Sequence, residues 1–177
     1  MHMDDYQLEA PKMTYYARAM SNLTGKILTD WQLYDASIWY YGKCNNNGGE
    51  SEYIIELDIW NNEPAFNAGS YDYYNADAIN CALYIDQYDY NNADVFKLGE
   101  FVYARCYTSN KREEWQPITK SQPLTYIYGN LNNKLVGTIQ GKTDHCILQT
   151  KIIMPENDIL QNNQRYMFNL VFSYDYE

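Results

Sequence analysis

Tyr53-Ile54-Ile55-Glu56-Leu57-Asp58-Ile59-Trp60 decides the fold class. Successive side chains of a strand point to opposite faces, so Tyr53, Ile55, Leu57 and Ile59 share one face and Ile54, Glu56, Asp58 and Trp60 the other. One face is apolar and the other carries two acids, the pattern of a half-buried strand with its acids toward water. The same period runs through Ile79-Cys81-Leu83-Ile85, Cys146-Leu148-Thr150-Ile152-Met154 and Tyr166-Phe168-Leu170-Phe172. In the stretch that follows Glu100, Phe101, Tyr103, Arg105 and Tyr107 alternate with Val102, Ala104, Cys106 and Thr108. The small-residue face is the better core face, which leaves Arg105 outward among tyrosines. Weaker strands are expected over residues 31–43, 124–128 and 134–140. Gly129-Asn130-Leu131-Asn132-Asn133 makes a hairpin loop between the last two, and Asn45-Asn46-Asn47-Gly48-Gly49 connects the first pair.

About eight strands with turn signals between them, and no alternation with long amphipathic helices, predict an all-β chain, an antiparallel β-sandwich or jelly roll. Residues 12–28 depart from the pattern, because Met13, Tyr16, Met20, Leu23 and Ile27 have nearly helical spacing. An extended arm fits the same residues. The chain therefore reads as an N-terminal arm or short helix over residues 1–30 and a sandwich over residues 31–177. A chain of 177 residues suits one domain, which buries roughly 70% of its unfolded surface and needs no disulfide or metal to stay folded.

Thirteen Lys and Arg against 23 Asp and Glu give a formal net charge of -10. Nucleic acid and anionic membranes demand clustered cations, and no such run occurs. No apolar stretch approaches the roughly 20 residues that cross a bilayer as a helix. Asp4 and Asp5 stand where a signal peptide would carry positive charge, so export by a cleaved leader is not expected. Cys44, Cys81, Cys106 and Cys146 lack metal-finger spacing and read as free, buried thiols. No cofactor or metal is expected.

Glu56-Leu57-Asp58-Ile59-Trp60 resembles the catalytic strand of the laminarinase and lichenase group of jelly-roll glycoside hydrolases. That resemblance implies a carboxylate pair on one strand face, one group acting as nucleophile and one as acid/base. The sequence departs from the signature where the acid/base should stand: Trp60 or Asn61 occupies the place, and Glu63 follows later. A solvated strand face is the plainer reading of Glu56 and Asp58. Asp86, Asp89 and Asp94, with Asn91 and Asn92, offer oxygen ligands for a hard cation but miss the calcium-loop spacing, so a polar turn accounts for them. His145 and Cys146 are adjacent on a strand, point to opposite faces and cannot form a nucleophilic pair.

Twenty Tyr and nineteen Asn make up over a fifth of the chain. Part of this follows from strand preference; the remainder is the mixture that contact surfaces use. In composition and expected architecture the chain resembles the small β-sandwich virion proteins of tailed bacteriophages that form neck, tail or baseplate rings. The resemblance implies a non-enzymatic structural protein made in the host cytoplasm, its partners being other copies and other virion proteins. Tyr15 and Tyr16 on the arm, Tyr71, Tyr73 and Tyr74 in the long connection over residues 61–80, and Trp115 in that over residues 108–123 are the expected contacts. Two alternatives stand beside it. One is a carbohydrate- or receptor-binding module using Trp60, Trp115 and the residue 71–74 tyrosines. The other is an acidic intracellular inhibitor of a basic partner.

Overall fold

A computed structural model describes residues 9–34, 39–44, 49–64, 75–87, 101–108, 111–154 and 167–176. Tyr71, Tyr73, Tyr74, Asp89, Asn91, Asn92, Asp94 and the Asn45–Gly48 part of the first connection lie outside the described residues. The strands are β1 (Met13–Ser21), β2 (Gln32–Leu33), β3 (Tyr53–Asn61), β4 (Ala78–Gln87), β5 (Val102–Tyr107), β6 (Gln116–Pro117), β7 (Asp144–Ile152) and β8 (Phe168–Tyr176). Six of them form one antiparallel sheet in the order β2-β1-β3-β7-β5-β6, and β4 pairs with β8 in a second. No α-helix occurs among the described residues. The chain is all-β, with the two sheets arranged as a sandwich.

The facing residues explain this packing. Ala17, Val102, Ala104, Cys106, Cys146 and Leu148 have no exposed surface on the inner face of the large sheet. Cys81, Leu83 and Ile85 of β4 pack against them, with Phe168, Leu170 and Phe172 of β8 partly buried on the same core. The small residues of β1 and β5 let the bulkier side chains of β3, β4 and β8 fill the space between the sheets. Each fully buried Leu or Ile stabilises the fold by about 1.5–3 kcal/mol. Beneath β8 a cavity of about 180 Å³ is lined by Tyr15, Leu57, Ile59, Leu83, Leu170 and Phe172 among others.

Three sequence expectations need correction. Residues 13–21 are neither helix nor detached arm: they form β1, paired along its whole length with β3. Ala17 is buried with Tyr15 and Ala19 packed on the core, whereas Leu23, a member of the expected helical stripe, is 94% exposed. The strands expected over residues 124–128 and 134–140 do not form a ladder with one another. Two backbone bonds join them, Gly137 N–H donating to Ile127 O and Gly129 N–H to Thr138 O, and both are also tied to β4, through the isolated bridges Leu83↔Leu124 and Ala78↔Ile139 and the Cys81 N–H donating to Gly137 O. Over residues 31–43 only Gln32–Leu33 is strand among the described residues.

Within β4, Ile79 does not share its face with Cys81. The register shifts between Ile79 and Ala82, and Asn80 takes a positive φ of 52°. This bulge moves Ala78 into the core beside Cys81.

Candidate functional site

The outer face of the large sheet carries the chemistry singled out in the sequence. β3 lies between β1 and β7, so its outward residues meet partners on both sides. Arg18 stands opposite Glu56, Glu56 opposite Gln149, and Gln149 opposite Arg105, a single row across β1, β3, β7 and β5. Arg18 Nε donates to Glu56 Oε1 at 2.7 Å, Gln149 Nε2 to Glu56 Oε2 at 3.1 Å, and Arg105 Nε to Gln149 Oε1 at 2.8 Å. Tyr107 Oη donates to Glu56 as well.

Tryptophans cover both ends of this row. The Arg18 guanidinium lies 4.2 Å from the Trp31 ring centre, and Arg105 and Lys151 lie 4.3 and 4.4 Å from that of Trp115. Glu56 is thereby left with no exposed surface and Asp58 with 8%. The expectation of a solvated acidic face is overturned, because three donors and the flanking side chains replace water around Glu56. Burial and the neighbouring Arg112 lower the pKa of Arg105 from its ordinary value.

Toward the other end of β3, His145 Nδ1 lies 2.6 Å from Asp58 Oδ1 and its Nε2 lies 2.8 Å from Asn130 Nδ2. The Trp60 ring stacks on the imidazole, with centres 3.9 Å apart and planes 5° from parallel. Both ring nitrogens thus have partners, and Cys146 points away into the core. Tyr16 Oη donates to Glu63 at 2.7 Å; burial, followed by this bond, raises its pKa to about 12.

Asp144 anchors the loop that precedes β7. Its carboxylate accepts from the backbone N–H groups of Leu131, Gln140 and His145 at 3.0, 3.0 and 2.9 Å. Burial nonetheless raises its pKa. Gly129 has to be glycine here, since a Cβ would stand 1.9 Å from Asp144 Oδ2.

The structure separates the expected contact residues. Tyr15 is partly buried and packs on the core, its ring 6.0 Å edge-on from Phe172 and its pKa raised by burial. Tyr16 and Trp115 lie on the outer face, where both are partly occupied by internal partners. Asp86 lies within ion-pair range of Lys120, at 3.9 Å. Among the described residues no three His, Cys, Asp or Glu side chains gather as a metal-binding group. Arg18 and Gln149 were not foreseen, since only strand register brings them to Glu56, and Trp31 reaches the row only through Arg18. No family model, curated protein or solved structure matches the chain.

Proposed function

We propose that this chain is a non-enzymatic structural subunit that assembles through the β2 edge of its large sheet. The observation that carries this reading is the apolar character of that edge. Leu23, Ile27, Leu28 and Leu33 are 94%, 49%, 47% and 51% exposed, and all four lie along the segment that flanks β1. Sheet edges offer unpaired backbone groups to other chains, and proteins that stay apart blunt them with proline, charge or a cover. The opposite edge follows that rule, since β6 contains Pro117. The segment along the β2 edge, residues 22–34, contains no proline, and its charges are Lys26 and Asp30 alone.

The row beneath Trp31 and Trp115 supports the same reading. Trp31, Trp60 and Trp115 each engage an internal partner, Arg18, His145 or the Arg105 and Lys151 pair, which favours a stiffened sheet over stacking platforms for sugar rings. The likeness in composition to small phage virion proteins supplies the setting proposed for this assembly, a neck, tail or baseplate ring.

Light scattering over a concentration series, at low and moderate salt, tests the reading. The expected result is a defined species larger than one chain, lost when Leu28→Asp places a charge on the edge. A monomer at every concentration would overturn it.

A further inference from the structure

The cavity beneath β8 is assembled from both sheets. Tyr15 and Ile59 are cross-strand neighbours on the β1–β3 ladder, and Leu83 and Phe172 are neighbours on the β4–β8 ladder. Ala17, the neighbour of Leu57, adds only a methyl group to the same face. Tyr34 completes the lining, its backbone N–H donating to Tyr15 O at 2.8 Å and its ring stacked on Trp39 with centres 6.4 Å apart. Leu57, Ile59 and Leu83 are 7%, 1% and 1% exposed and make a closed floor. Tyr15, Tyr34, Leu170 and Phe172 are partly buried and make the rim through which the space is reached.

Chemistry and size together narrow what such a space can hold. Two phenol hydroxyls are the only polar side-chain groups among the described residues that line it. Burial raises the pKa of both phenols, as dry surroundings do. Water finds few partners here, and apolar cavities of about 150 Å³ lined by Leu, Ile and Phe stay dry and take up benzene. This one measures about 180 Å³, enough for one ring with a small substituent. It falls well short of the roughly 300–1,000 Å³ that drug-sized ligands occupy. A charged ligand would lose its hydration with nothing to pair with. Tyr15 and Phe172 already meet edge-on at 6.0 Å, the arrangement that a third ring favours against either of them.

We infer that this space between β1, β3, β4 and β8 is a binding site for a small uncharged aromatic molecule, a single ring bearing at most a short apolar substituent. The floor and rim residues sit on paired strands, so the site is formed before the ligand arrives. Its occupancy is independent of the assembly through the β2 edge.

Thermal unfolding with toluene, at a low and a high protein concentration, tests this. Toluene is expected to raise the midpoint by about 2–4 °C at a free concentration about fivefold above its Kd. Benzoate, the same ring carrying a charge, should leave the midpoint unchanged. In methyl NMR spectra of the unaltered chain, toluene should move the resonances of Leu57, Ile59, Leu83 and Leu170 most. Leu170→Trp, which fills the space from its rim, should weaken binding by at least about tenfold, and Leu170→Phe is the milder filling should that variant not fold. No rise up to the solubility limit of toluene, an equal rise with benzoate, or undiminished binding in the filled variant overturns the site. Binding confined to concentrations at which the chain is monomeric would give the space to a side chain of a neighbouring copy, and overturns the small-molecule reading as well.

Discussion

The two faces of β3 are both closed to water, and by opposite means. On the inner face Ile55, Leu57 and Ile59 are buried against apolar residues of the second sheet. On the outer face Glu56 is just as buried, held by Arg18, Gln149 and Tyr107. The inner face gains from every apolar contact independently of its neighbours. The outer face depends on completeness, since a buried charge is tolerable only while its partners remain. One strand therefore has a face that fails gradually and a face that fails at a single substitution.

The largest effect should come from Glu56→Ala, which removes the acceptor at the centre of the row and leaves Arg18, Gln149 and Tyr107 without it. The expected cost is about 3–5 kcal/mol in urea unfolding. Replacing Glu56 and Arg18 together by Leu and Met should recover most of that loss, because apolar substitutes of similar size often match a buried ion pair. If the double variant is no better than Glu56→Ala, the contrast between the faces is wrong. Leu148→Ala on the inner face should cost about 2–5 kcal/mol, with little change between low and high salt.

Titration distinguishes the faces more finely. Burial raises the Cys81 and Cys106 thiols to about 12, while in the unfolded chain they ionise near 9.0. The unfolded state then binds fewer protons than the folded state above that pH, so stability should fall as pH rises from about 9 toward 12. Thermal unfolding against pH should show this decline, and Cys106→Ala should reduce its slope. On the acid side, the hydrogen bond from Lys151 lowers the pKa of Glu50. Its contribution is present above the unfolded value and should be lost as pH falls through the carboxylate range, modestly because the pair is partly exposed. The smallest change is expected for Trp115→Ala, about 0.5–2 kcal/mol, through loss of the ring that Arg105 and Lys151 share.

Strands β3, β4, β5, β7 and β8 were legible because each buries a run of apolar residues at alternate positions. β1 was hidden because its inward residues include the small Ala17 and Ala19, while Met13, Tyr16 and Met20 mimic a helical stripe. Residues 124–128 and 134–140 were weaker candidates: Leu124, Ile127, Tyr128 and Ile139 enter the core, Tyr126, Leu135 and Val136 stay exposed, and the backbone meets β4 at isolated bridges. Glu56 and Asp58 were conspicuous in the sequence, but their surroundings were not. Arg18 is 38 residues from Glu56, Gln149 is 93 away, and His145 is 87 from Asp58. Register between strands so distant in the chain is set by the assembled sheet, and local periodicity carries no trace of it.

The four cysteines are free, three of them sealed in the core. Cys81 lies on β4 of the small sheet, while Cys106 and Cys146 lie on β5 and β7 of the large one. A thiol reagent reaches each sulfur only when the strand around it opens, so labelling rates resolve the breathing of one sheet from that of the other. Should β4 and β8 detach first, Cys81 would be marked while Cys106 and Cys146 stayed clean. The chain thus carries an internal record of the order in which its layers come apart.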